Sequence, residues 1–184
     1  MNKAAFIHFL WSVASTIAGG LILAFLFFLS REHLFPIPEL SGPWHIETCT
    51  VKTEFKQFEG MVLRYRAMLF REGSIIRGTA EKVYEDSNTL TDHVYVGSNR
   101  TRSVIDGHIE KQYLWGDDKV SLHIIEDGQQ RESTYSYKLE LKRDNSMRGH
   151  FSSMAADSEG NVIWQRVPFD MNDRQYPCSP LTTP

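Results

Sequence analysis

The chain has 184 residues, 41% hydrophobic and 23% charged, with a net charge of −3. That balance excludes a basic protein that coats nucleic acid, and two cysteines are too few for a disulfide framework or a cysteine metal centre. What remains is one domain's worth of polar chain behind an N-terminal segment of very different character.

That segment is the first predicted element. From Ala4 to Ser30 the only ionisable residue is His8, and Leu21 to Leu29 is wholly apolar. About 26 residues at ~1.5 Å each make a helix of roughly 39 Å, longer than the ~30 Å hydrocarbon core of a bilayer. One helix spans it with some tilt, and Trp11 suits the headgroup level. A secretory signal peptide is the main rival, because Met1-Asn2-Lys3 gives a weakly basic start. The apolar run is too long for one, and Phe28-Leu29-Ser30-Arg31 lacks a small-x-small cleavage pattern, so an uncleaved anchor is expected. Gly19-Gly20 invites a hairpin of two spans, but halves of about 15 residues are too short to cross. Helix flexibility or a close-packed oligomer contact is the simpler role for the pair.

Pro36 and Pro38 end the anchor, which divides the chain into residues 1–36 (anchor), 37–168 (barrel) and 169–184 (irregular tail). From Gly42 onward period-two alternation dominates, with strands expected near 43–55, 60–72, 74–85, 102–115, 119–126, 131–142, 147–156 and 161–168. Glu72-Gly73-Ser74, Gly116-Asp117-Asp118, Asp127-Gly128, Asp144-Asn145 and Ser158-Glu159-Gly160 supply turn chemistry at the joints. The fold class is therefore mainly β: a transmembrane helix followed by an eight-stranded antiparallel meander. Closing the meander into a barrel removes both exposed edges and leaves an interior wide enough for side chains or one small ligand. Segment 86–101 is the one long connection, placed to lid a mouth.

The apolar sets define the expected inner faces: Met61, Leu63, Tyr65, Ala67 and Leu69; then Ile105, Gly107, Ile109, Lys111 and Tyr113; then Val120, Leu122 and Ile124. Tyr135, Tyr137, Leu139 and Leu141 share a further face, as do Met147, Gly149, Phe151, Ser153 and Ala155. Tyr65, Tyr113, Tyr135 and Tyr137 thus bring hydroxyls to the lumen, and Lys111, Arg166 and Arg77 bring charge. Tyrosines stack on rings and guanidinium groups pair with phosphate, so these seven are the candidate ligand residues. A wholly filled barrel core would read much the same for the tyrosines.

No catalytic constellation stands out, and no cofactor or metal is expected. His45, His108, His123 and His150 fall in separate strands without the spacing that sets two ligands on one side. Gly149-His150-Phe151-Ser152 is not a nucleophile elbow, and no Gly-rich loop opens a helix to cradle phosphate. Cys49, in a strand, and Cys178, in the Pro-rich tail, are expected as free cytosolic thiols, with one disulfide outside the membrane as the alternative. The tail is expected to lie over the barrel or remain disordered.

Gly42-Pro43-Trp44 at the first strand and Arg166 in the last resemble the Gly-x-Trp and closing Arg/Lys of lipocalin-like barrels, in which the cation stacks across the Trp and closes one end. Joined to the anchor, the barrel resembles the membrane β-barrel effectors of bacterial cyclic-oligonucleotide immunity, the two-transmembrane-β class of CBASS and Panoptes systems. The matching residues are Gly42-Pro43-Trp44, Ile105-Asp106-Gly107-His108-Ile109, Gly149-His150-Phe151-Ser152-Ser153 and Trp164-Gln165-Arg166. The resemblance implies a cytosolic barrel that binds a cyclic dinucleotide, a neighbouring nucleotide cyclase, and a membrane part that oligomerises to disrupt the inner membrane and arrest growth. In the Panoptes arrangement it implies that the nucleotide restrains the effector and its removal by phage releases it.

One convincing span departs from that pattern and requires an outside N-terminus if the barrel is cytosolic. Lys3 on one side and Arg31 beside Glu32 on the other leave the positive-inside rule undecided. The alternative is a membrane-tethered lipocalin-like binding or scaffold protein on the outer face, carrying an apolar ligand or none.

Overall fold

A computed structural model of the chain describes residues 3–29, 38–87, 90–113, 116–128 and 131–170. Pro36, Arg31, Glu32 and Cys178, together with the tail beyond Asp170, lie outside the described residues. Two compact units result, residues 1–38 and 39–184.

The first unit is a single helix, α1 (Lys3–Leu29), unbroken through Gly19-Gly20. Its stretch Ile7–Leu29, 23 residues with a mean hydropathy of 2.2, is long and apolar enough to cross a membrane, and none of it is buried in the protein. A helix that is apolar all round needs an apolar surrounding. Two of its hydroxyls are satisfied within the helix: Ser15 and Thr16 both donate to Ser12 O, at 2.9 and 3.0 Å. The one-span expectation agrees with this helix.

The second unit is the barrel. Its strands are β1 (Gly42–Lys52), β2 (Val62–Glu72), β3 (Ile75–Ser87), β4 (Leu90–Val94), β5 (Arg102–Glu110), β6 (Lys119–Asp127), β7 (Glu132–Leu141), β8 (Met147–Ser153) and β9 (Ser158–Gln165). All pairings are antiparallel, and β1 pairs with both β2 and β9. Eight strands therefore close in the order β1-β2-β3-β5-β6-β7-β8-β9, as the alternation predicts.

The ninth strand corrects the reading of 86–101. β4 folds back onto the end of β3, pairing Tyr84 with Val94 and Glu85 with His93, so the long connection is largely a paired arm. Two local irregularities also move side chains. Val83 is an extra residue where β3 meets β2, with Arg64 opposite Tyr84 and Tyr65 opposite Lys82. This bulge reverses the phase of β3, turning Tyr84 outward and bringing Glu85 to the inner side. The fourth predicted strand ends at Glu110 rather than 115, because Asp118 takes the Gln112 N–H at 3.0 Å and the Lys111 ammonium at 2.9 Å.

One end of the barrel is packed and apolar. Trp44 and Trp164 meet edge to face at 6.4 Å, enclosed with Leu69, Ile76, Val120, Leu139 and Met147. Arg166 closes this end: its guanidinium lies 3.9 Å over the Trp44 ring and donates to Pro43 O at 3.0 Å and Glu39 O at 3.1 Å. Gly42 makes that approach possible, since it holds φ +104° and a side chain there would press on Arg166. Arg166→Ala is expected to cost about 1–2 kcal/mol, for a cation–π contact and two charge-assisted hydrogen bonds. Urea unfolding checks this, and Arg166→Lys should recover part of the loss.

Candidate functional site

The lumen changes character along its axis. Above the tryptophan floor, Tyr137 stands 6.2 Å from Trp164 and 6.0 Å from Phe151, and Tyr135 stands 6.3 Å from Tyr137. This aromatic column fills the middle of the barrel. At the opposite end the inward positions become polar: Thr50, Tyr65, Lys82, Ser103, Glu126, Ser153 and Ser158.

Their centre is Glu126, only 4% exposed. One carboxylate oxygen lies 2.9 Å from the Lys82 ammonium, and the other accepts the Tyr65 hydroxyl at 3.0 Å. Lys82 also lies 3.7 Å from Glu85, which accepts the Tyr95 hydroxyl at 2.9 Å. Tyr135 is hydrogen-bonded to Tyr65, so a continuous polar chain runs from the lumen to the residue after β4. Directly across from Glu126 in the β5–β6 pairing is Ser103, 3% exposed, whose hydroxyl has no hydrogen-bond partner among the described residues. A buried hydroxyl left unpaired costs about 1–3 kcal/mol, which a bound polar group would relieve.

These surroundings raise the tyrosine pKa values. Burial, then the Glu126 charge, pushes both Tyr65 and Tyr135 up, and burial does the same to Tyr137. Tyr95 is pushed up to about 12 by burial and then by its hydrogen bond to Glu85. Free tyrosine ionises near pH 10, so above that pH the unfolded chain releases protons that the folded barrel retains. The barrel's stability should be unaffected by these groups below about pH 10 and should fall as the pH rises further. Ultraviolet phenolate absorbance in an alkaline titration should show at least Tyr65 and Tyr137 ionising together with unfolding.

Of the seven candidate ligand residues, the lumen brings together three: Tyr65, Tyr135 and Tyr137. The other four are corrected in placement. Arg77 is on the outer wall, its side chain 71% exposed and 3.7 Å from Asp106. Lys111 follows β5 and is held by Asp118, and Tyr113, beyond the same strand end, is 48% exposed. Arg166 sits on Trp44 at the closed end. Lys82, Ser103 and Glu126 were the lumen residues to add. The sequence carries a signal for two of them: Lys82 continues the phase of Ile76, Gly78 and Ala80, and Glu126 that of Val120, Leu122 and Ile124. A charge in phase with an apolar stripe is a charge inside.

The outer wall carries a second buried polar group. Glu47 and Arg64, cross-strand neighbours on β1 and β2, form an ion pair at 2.7 Å with side chains only 6% and 7% exposed. Arg64 also faces the rings of Tyr84 at 5.1 Å and Phe169 at 5.7 Å and donates to Asp170 O at 3.1 Å. The first tail residues thus lie over the barrel wall. Two positions beyond Glu47 on the same face is Cys49, which is disulfide-bonded; the expected free thiol is corrected accordingly. Among the described residues no three of His, Cys, Asp and Glu converge on a metal-sized site.

No protein-family model matches the chain, and no curated protein matches it. Fold and site define a closed eight-stranded antiparallel barrel, polar at one end of its lumen, in a chain whose N-terminal helix is long enough to cross a membrane.

Proposed function

We propose that this protein is a non-enzymatic membrane effector of anti-phage immunity, with a barrel that senses a cyclic dinucleotide and a helix that oligomerises to disrupt the bacterial inner membrane. The observation that carries the reading is the asymmetry of the lumen. One end is closed by apolar side chains and Arg166, and the other offers tyrosine rings, the Lys82–Glu126 pair and the unpartnered Ser103 hydroxyl. Base edges hydrogen-bond to such groups, and rings stack on tyrosine. The sequence resemblance to cyclic-oligonucleotide effectors supplies the ligand class and the nucleotide cyclase as functional partner. Output requires that the nucleotide bind assembled and unassembled forms with different affinity, and the sign of that difference separates activation from restraint.

Titration of the full-length protein in detergent with a panel of cyclic dinucleotides tests the sensor. Binding of one, lost on Ser103→Phe with the melting temperature retained, supports the lumen as its seat; binding of none overturns the sensor reading. Growth arrest on induction of the full chain but not of residues 39–184 tests the output.

One observation favours a second reading. A disulfide at Cys49 suits an oxidising compartment, which would place the barrel outside the cytoplasm as a tethered lipocalin-like binding protein. The two readings differ in the fate of Cys49 in cells. Alkylation under denaturing conditions, without reductant, should label Cys49 fully if the barrel is cytosolic and leave it unlabelled if the barrel is outside. A C-terminal reporter fusion gives an independent answer.

A further inference from the structure

The guanidinium groups missing from the lumen are gathered elsewhere. A cleft of about 390 Å³ opens on the outer wall where the β3 bulge, the residues after β4 and the start of the tail meet. Arg64, Arg66 and Arg100 line it beside the rings of Tyr84, Tyr95 and Phe169, and no carboxylate is among its lining residues. The volume falls within the range of small-ligand sites, and the pairing of flat aromatic walls with guanidinium donors is the chemistry of ring-plus-phosphate recognition.

Arg64 is committed to Glu47 on the same wall, and Arg100 reaches Glu81 at 3.1 Å. Arg66, exposed and opposite His45 and Glu81 in the strand pairings, makes no ion pair among the described residues. Two of the three lining guanidinium groups are thus paired with carboxylates, and Arg66 is in no ion pair among the described residues. Burial, and after it the nearby Arg66 charge, lowers the His45 pKa.

We infer that this outer-wall cleft is a binding site for a small ligand joining an aromatic ring to a phosphate, with Arg66 as the principal phosphate donor, Arg100 assisting, and Tyr84, Tyr95 and Phe169 holding the ring. Arg64, fixed by Glu47 and in contact with the rings of Tyr84 and Phe169, positions the wall and contributes field. A ligand here touches the arm through Tyr95, whose hydroxyl is bonded to Glu85 beside Lys82, so occupancy of the cleft reaches the polar end of the lumen. The inference rests on the nucleotide reading for its choice of probe and gives that ligand a second seat, on the wall and outside the lumen.

The test uses the full-length protein in detergent, titrated calorimetrically with adenosine monophosphate, cyclic di-adenylate and cyclic di-guanylate. At least one probe should bind, and Arg66→Glu should weaken it about tenfold or more with an unchanged melting temperature, whereas Lys138→Glu, an exposed position of β7 away from the cleft, should leave it within about twofold. Binding that ignores Arg66→Glu but is lost in Ser103→Ala overturns the inference and leaves the nucleotide reading standing. Arg66-dependent binding of the monophosphate, with no cyclic dinucleotide bound, supports the cleft and removes the effector reading's ligand. Absence of binding by all three probes overturns both.

Discussion

Arg64→Ala is expected to destabilise the barrel by about 3–5 kcal/mol, because it strands a carboxylate inside the protein. Glu47 is 5% exposed and has Arg64 at 2.7 Å; removal of the guanidinium leaves that charge neither solvated nor paired. The same change removes the contacts that Arg64 makes with Tyr84, Phe169 and Asp170 O. Against a domain stability of about 5–15 kcal/mol, this is enough to leave the protein marginal. The double variant Glu47→Leu/Arg64→Leu should recover most of the loss, since an apolar pair of similar volume carries no desolvation penalty. Urea unfolding of the full-length protein gives both values and their coupling. A cost below about 1 kcal/mol for Arg64→Ala would mean that the tail does not cover this pair in solution.

Trp44→Ala should cost as much, about 3–5 kcal/mol, through a different mechanism. Trp44 is fully buried and fills the closed end against Trp164, and its indole N–H donates to Leu40 O at 2.8 Å. Its removal opens a cavity, orphans that carbonyl and takes away the surface on which Arg166 stacks. Trp44→Phe keeps a ring under Arg166 and should lose clearly less. Because Trp44 and Arg166 share one contact, the cost of Trp44→Ala combined with Arg166→Ala should fall short of the sum of the two. Strict additivity would show that Arg166 closes the barrel through its hydrogen bonds alone.

The two variants also mark what could be read in advance. Trp44 and Arg166 are 122 residues apart, yet their meeting is legible through the resemblance of Gly42-Pro43-Trp44 and Arg166 to the Gly-x-Trp and closing cation of lipocalin-like barrels. The Glu47–Arg64 pair is different. Both residues alternate with apolar neighbours and so read as surface, and their burial depends on Phe169 and Asp170, which no local pattern directs to that wall.

By itself the sequence determined the helix, the eight barrel strands and most of their inner faces. An uninterrupted apolar run can satisfy its backbone as a helix and offers nothing for water to hold, and period-two alternation leaves a strand only one face to bury. Tyr65, Tyr135 and Tyr137 followed from that rule, because each lies within a strand whose phase is unbroken up to it. Only the tertiary structure decided where the rule stops. The extra residue Val83 turned Tyr84 outward and Glu85 inward, Asp118 drew Lys111 out of strand register, and cross-strand pairing set Ser103 opposite Glu126. Local phase says which way a side chain faces, whereas charge partners and clefts are made by residues distant in sequence. The polar lumen and the arginine-lined wall are properties of closure.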